Sequence, residues 1–144
     1  MMSGGRVAGN HLETGMHKQR GNALIEAAFI LPILILVLLG IFEVGRAWMS
    51  YNLLQYAVRE GARLATVRPG LRQNDPVVIR RINDTLLLGG LTAVQPQVIY
   101  ASPLQTGTLV RVRATVNFVP IVSIVFPGGV TIPLRVEEVT RYEV

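Results

Sequence analysis

The sequence of 144 residues predicts an α+β fold: a long N-terminal helix, a short second helix and a small antiparallel sheet. Three observations carry this. Residues 27–42 form a stretch of sixteen residues without a charge. Downstream, Leu53, Leu54, Ala57, Val58, Gly61, Leu64 and Ala65 recur at the i, i+3, i+4 spacing of an amphipathic helix. Val110, Val112, Ala114, Val116 and Phe118 then alternate strictly with Arg111, Arg113, Thr115 and Asn117, the period-two signature of a half-buried strand.

Residues 1–21 are polar and glycine-rich without periodicity, and read as a disordered leader. His11 and His17 in this segment read as solvated side chains, not metal ligands. The uncharged stretch follows, bounded by Glu26 and Glu43. Sixteen helical residues rise roughly 24 Å, a little short of a bilayer core, and Leu24, Ile25 and Val44 extend the stretch into range. A core helix is a poor reading, since about 100 further residues can hardly surround a helix apolar on all sides. A conventional secretory signal fits poorly too. No A-x-A site follows the stretch, and Glu43 and Arg46 sit where a cut would fall. A third reading places the cut before the stretch, at Gly21-Asn22-Ala23-Leu24-Ile25-Glu26, so that the stretch is retained.

The helix is expected to run unbroken to about Arg68, with a local kink at Pro32, before Pro69-Gly70 ends it. Trp48 and Tyr51 fit an interfacial belt. Arg59, Glu60 and Arg63 fall off the apolar stripe, with Glu60 and Arg63 spaced for an i, i+3 ion pair. Two readings of this segment stand. It is a solvated face, or its arginines meet carboxylates of the sheet or a neighbouring subunit, Glu137 and Glu138 being the candidates in kind.

Asp75-Pro76 starts the second helix, with Asp as N-cap and Pro at the first turn. Val78, Ile79, Ile82, Leu86 and Leu87 form its apolar face, Arg80-Arg81 a solvated one, and Gly89-Gly90 stops it. Strands follow around Val98–Tyr100, along residues 110–118 and along residues 130–136. A slip in alternation at Glu137-Glu138 suggests a bulge there. Between the last two strands, residues 121–126 carry five large apolar side chains between prolines. They form either a buried crossover or an exposed loop, Ile124 and Val125 included, that touches a neighbour or the membrane.

The net charge is +5, and thirteen of the fourteen basic residues are arginine. They are scattered singly or in pairs without interleaved aromatics, which argues against nucleic-acid binding. There is no cysteine, hence no thiol chemistry or disulfide framework. No nucleophile elbow, P-loop or HExxH motif occurs, and Glu26 and Glu43 lie too far apart along one helix to act as a catalytic pair. The sequence therefore points away from an enzyme, and no cofactor or metal is expected.

Glycine behind basic residues, glutamate five positions on, and an apolar run around it resemble the processing site of type IV prepilins and pseudopilins. The spacing of Glu26, Pro32, Gly40, Glu43 and Gly45-Arg46, the stretch Ala57-Val58-Arg59-Glu60-Gly61-Ala62-Arg63, and the proline-broken C-terminal strand pair ending at Glu143 narrow the resemblance to the TadE-like family. Those are pseudopilins of tight-adherence (Tad/Flp) pilus systems. The resemblance implies a pilin-like fold with a leader over residues 1–21, a membrane helix over 22–46 and an extracytoplasmic domain over 47–144. It implies cleavage between Gly21 and Asn22 by a prepilin peptidase, and an assembly role for Glu26. The implied partners are that peptidase, other pilins and pseudopilins, inner-membrane assembly proteins and membrane lipid. Asn22 and Ala27 stand where major pilins carry aromatic residues, so the implied role is a minor pseudopilin in pilus assembly. Basic residues tie across the membrane segment, Lys18 and Arg20 against Arg46 and Arg59. The cytoplasmic placement of the N-terminus, in the inner membrane, thus comes from the resemblance. The alternative is an uncleaved single-pass anchor with an extracytoplasmic partner-binding domain.

Overall fold

The computed structural model describes residues 11–124 and 129–144. Helix α1 spans His11–Thr66 and α2 spans Pro76–Leu87. Strands β1 (Ala93–Tyr100), β2 (Leu109–Phe118) and β3 (Ile132–Arg141) form one antiparallel sheet in the order β1-β2-β3. A single 3-10 turn, Ile121–Ile124, follows β2. The α+β expectation holds. The chain divides after Phe42 into two compact units.

The segment ahead of Gly21, expected to lack structure, is helical from His11. Extending an existing helix is far easier than nucleating one, so a long apolar helix can carry polar flanking sequence that would not be helical alone. In residues 22–42 every residue except Leu39 is exposed, with Leu24 at 72% and Phe29 at 74%. This stretch belongs to a helix long and apolar enough to cross a membrane.

The second unit, Glu43–Val144, holds the hydrophobic core. The expected stripe of α1 is its first wall: Leu54, Ala57, Val58 and Ala65 are fully buried. Val78, Ile82 and Leu86 of α2 and Val98, Val110, Val112 and Val116 of the sheet close it. Leu87, expected on the apolar face of α2, is 60% exposed, and Thr85 is buried in its stead. At ~100° per residue Leu87 falls past the edge of the stripe set by Val78, Ile82 and Leu86. Asp75 caps α2 by accepting from the Val77 N–H at 2.9 Å, as its position before Pro76 predicts.

The sheet corrects one expectation. β2 and β3 pair without interruption from Leu109↔Arg141 to Phe118↔Ile132, so Glu137-Glu138 is not a bulge. Glu138 pairs across from Val112 and points to the helix side, where Arg59 of α1 reaches it at 4.0 Å. The alternation slips because a charge occupies an inward position at the rim of the core. The irregularity lies instead in β1, between Val94 and Gln97. Pro96 there has no N–H for a ladder, and Gln95 takes a positive φ of 50°.

The end of α1 leaves carbonyls without helical partners. The C-terminal tail supplies donors: Glu143 N–H to Thr66 O at 3.0 Å and the Tyr142 hydroxyl to Arg68 O at 3.0 Å. Tyr142 is 5% exposed, so this clasp is part of the core.

Gly61 of α1 faces Ile82 of α2. A Cβ added there would stand 2.6 Å from Cγ1 of Ile82, itself fully buried. Alanine would gain about 1 kcal/mol in helix propensity, but forcing Ile82 aside costs about 1–3 kcal/mol. Gly61→Ala is therefore expected to lower the melting temperature of the full chain in detergent, and Gly61→Val to lower it further. An alanine variant that melts higher than wild type would show that Ile82 yields freely.

Candidate functional site

The residues singled out in the sequence fall into two sets, one in each unit. In the first, Gly21 lies within α1, and Asn22 and Glu26 are exposed. Residues four apart on a helix share a face, so Asn22 and Glu26 are one turn apart on one side. Ala23, Glu26, Ala27, Ile30, Leu31 and Leu34 line an open groove along the helix. Its upper part is floored by alanines, so a neighbouring helix could approach closely beside the carboxylate. Pro32 sits inside the helix on the same stretch and removes one backbone hydrogen bond.

In the second unit, Glu43 is no mere boundary residue. Its side chain is only 11% exposed and both oxygens are engaged. Oε2 accepts from Arg46 Nη1 at 3.0 Å, and Oε1 accepts from the backbone N–H of Ile121 at 2.6 Å. The Arg46 guanidinium also lies over the Phe118 ring, 5.2 Å from its centroid. Phe118 ends β2 and is 5% exposed, and Ile121 begins the 3-10 turn. The start of the second unit is thereby tied to the far end of its central strand. Nothing in the sequence signals this, because the partners are 78 positions apart and one of them is a main-chain N–H.

The segment 59–63 forms a small ion-pair network. Arg63 donates to both carboxylate oxygens of Glu60, at 3.2 and 3.0 Å, which is the expected i, i+3 pair. Arg81 of α2 joins the same carboxylate at 2.9 Å, so Arg81 is not merely a solvated face. The Arg63 side chain is 75% exposed. Arg63 meets neither candidate carboxylate of the sheet: Glu138 faces Arg59, and Glu137 accepts from Arg111 at 3.1 Å. A second bridge, Arg68 Nε to Asp75 Oδ2 at 2.9 Å, locks the α1–α2 connection. Burial pushes the Asp75 carboxyl up, but hydrogen bonds from Arg68, the Val77 N–H and the Arg72 N–H outweigh it and hold the group below its ordinary range. Ile124 closes the 3-10 turn, and its side chain and all of Val125 lie outside the described residues. Among the described residues no group of histidine or acidic side chains could hold a metal.

Hydrogen bonds from Arg63 and then Arg81 lower the Glu60 pKa to about 2. A carboxylate whose folded pKa lies below its unfolded value stabilises the fold above the unfolded pKa, and that contribution is lost as pH falls through the folded one. The window here runs from the ordinary value of 4.5 down to about 2. Because both arginines are well exposed, solvent screening keeps the network's contribution small. Acid titration of the full chain in detergent should show Glu60→Gln losing less stability than wild type across that window. Parallel curves would mean that the pairs contribute nothing.

The family model described as TadE-like protein matches residues 21–63. The match covers the apolar helix, Glu43-Arg46 and the Glu60-Arg63 segment, and it does not extend to the C-terminal strand pair on which the sequence resemblance also rests. No curated protein and no solved structure gives a significant match to the chain.

Proposed function

We propose that this TadE-like chain is a minor pseudopilin of a Tad-type pilus system, made as a precursor that a prepilin peptidase cuts between Gly21 and Asn22. One observation above all supports the reading. The helix that follows the cleavage motif is exposed on nearly every residue from 22 to 42, within a family match that begins at Gly21. Such a surface must be covered, first by lipid and, after extraction, by the like helices of neighbouring subunits. The chain serves as a protease substrate and an assembly part, not as an enzyme. Its partners in this reading are the peptidase, other pilins and the inner-membrane assembly machinery. The N-terminus faces the cytoplasm.

Cleavage also gives Glu26 a role. It creates an α-amine on Asn22, one helical turn from the carboxylate. Between lipid-covered or bundled helices, an unpartnered carboxylate is costly and a paired one fixes the stagger of subunits. The negative charge is further favoured by the helix N-terminus that the cut exposes. Continuation of α1 from Gly21 back to His11 favours the second reading, an uncleaved anchor, because a protease needs this backbone extended. Glycine at the scissile position lowers the cost of that local unwinding.

Glu26→Gln keeps the shape and loses the charge. It is expected to be inserted and cleaved normally yet to support few or no pili, as counted by electron microscopy of cells expressing it in place of the wild type. Normal piliation by this variant would reduce Glu26 to a marker of the helix boundary.

A further inference from the structure

The face of the sheet turned away from the core is basic. Arg111 and Arg113 alternate along β2 with the fully buried Val110 and Val112. On β3, Arg135 and Glu137 flank buried Val136, and Arg141 precedes buried Tyr142. Four arginines thus share this face with one glutamate. The Glu137 carboxylate accepts from Arg111 at 3.1 Å. Among the described residues, no acid forms an ion pair with Arg113, Arg135 or Arg141.

Two of these arginines line a cleft beside β1. Gln95, Gln97, Arg113, Thr115 and Arg135 surround it, and its volume is about 240 Å³. Gln97 sets Arg113 in place, its side-chain carbonyl accepting from Arg113 Nε at 2.7 Å. Across the β2–β3 ladder Arg113 pairs with Glu137, and Thr115 pairs with Arg135. The two arginines are therefore diagonal neighbours, about 7–8 Å apart at the backbone.

The bulge in β1 serves this cleft. Val94 pairs with Thr115 and Gln97 with Arg113, so Gln95 and Pro96 together stand opposite Ala114. In unbroken register Gln95 would pair with Ala114, which is 1% exposed, and would point into the core. The bulge and the φ of 50° turn Gln95 outward, where it is exposed and lines the cleft. A residue with a Cβ adopts that conformation only at a cost. The strain falls where it adds an amide beside two guanidinium groups.

We infer that the cleft is a docking site for an acidic peptide segment of a partner protein, whose carboxylate side chain is held between Arg113 and Arg135, with Gln95 and Thr115 as further donors. Among the described residues, no acid lines the cleft. Guanidinium forks match the planar, two-oxygen end of an aspartate or glutamate. A carboxylate there also relieves the repulsion between like charges on neighbouring strands. The cleft is smaller than the roughly 300–1,000 Å³ of small-molecule sites, so its ligand is one group of a larger molecule that covers the rest of the face. Charge selects an acidic partner over a second copy of this chain, whose own net charge is +5. Among the described residues this face carries no aromatic side chain on which a nucleobase could stack. Every residue of the site belongs to the second unit, so the inference rests on neither cleavage nor the membrane anchor.

The test uses the full chain in a non-ionic detergent and a fluorescein-labelled hexaglutamate peptide, with binding read by anisotropy at low salt. Labelled hexaglutamine and a labelled hexathymidine oligonucleotide are the comparisons. Hexaglutamate is expected to bind and hexaglutamine not to. Arg135→Gln should weaken binding about tenfold, as loss of a charge-assisted bond does. Arg135→Lys should recover little of it, because lysine lacks the fork. Arg80→Gln removes the same charge from α2 and should change the affinity by less than about twofold.

Equal losses in Arg80→Gln and Arg135→Gln would reduce the binding to net charge and overturn the site, as would failure of hexaglutamate to bind. Tighter binding of the oligonucleotide would overturn the peptide assignment. Gln95→Gly removes the amide and relaxes the backbone, so it should melt no lower than wild type. It should also bind hexaglutamate about threefold more weakly. Unchanged affinity in that variant would separate the bulge from the site and overturn the role given to Gln95.

Discussion

An apolar helix that nothing in its own chain covers is the constraint on which the rest of this protein depends. Large apolar side chains from Leu24 to Val44, Leu39 apart, are more than half exposed, and the second unit keeps its own core. Burying an aliphatic side chain of that size is worth about 1.5–3 kcal/mol relative to leaving it in water. Fourteen such side chains thus make the aqueous monomer untenable. Lipid and neighbouring helices are the two media that can cover it.

The second unit makes such a helix usable. Its core takes one stripe of the later part of α1, and the clasp of Glu143 and Tyr142 satisfies the carbonyl of Thr66, the helix's last residue, and that of Arg68 just beyond it. At the other end, Glu43 and Arg46 fasten the first turns of the unit to Phe118 and Ile121. Glu43 thereby joins the first turn of the unit to the end of its central strand through a part-buried charge-assisted hydrogen bond. The Glu60 network adds a surface tie between α1 and α2, and the Arg68–Asp75 bridge a part-buried one.

What could be read from sequence follows interaction range. The apolar helix, the 53–65 stripe, the Asp75 cap and the alternation of β2 are all local patterns, and each stands where its period predicts. The Glu60–Arg63 pair was legible for the same reason, while Arg81 at the same carboxylate was not, being 21 positions away. Broken alternation at Glu137-Glu138 suggested a bulge. The strand runs through regularly, because an arginine on another element makes an inward glutamate tolerable. The true bulge sits beside Pro96, where the missing N–H was the available signal. Glu43 was legible as the edge of the apolar run, but its partner is a main-chain N–H, and main-chain donors carry no residue-type signature.

The central claim, that the chain is a processed precursor whose retained apolar helix becomes a subunit contact, is tested most directly by the N-terminus of the protein in its own cells. Intact-mass spectrometry should be run separately on the membrane fraction and on fibres sheared from the surface, in a strain with an active prepilin peptidase. The account predicts a membrane species that begins at Asn22, with Glu26 as its fifth residue. A membrane species that retains residues 1–21 would contradict it and leave the chain as an uncleaved anchor.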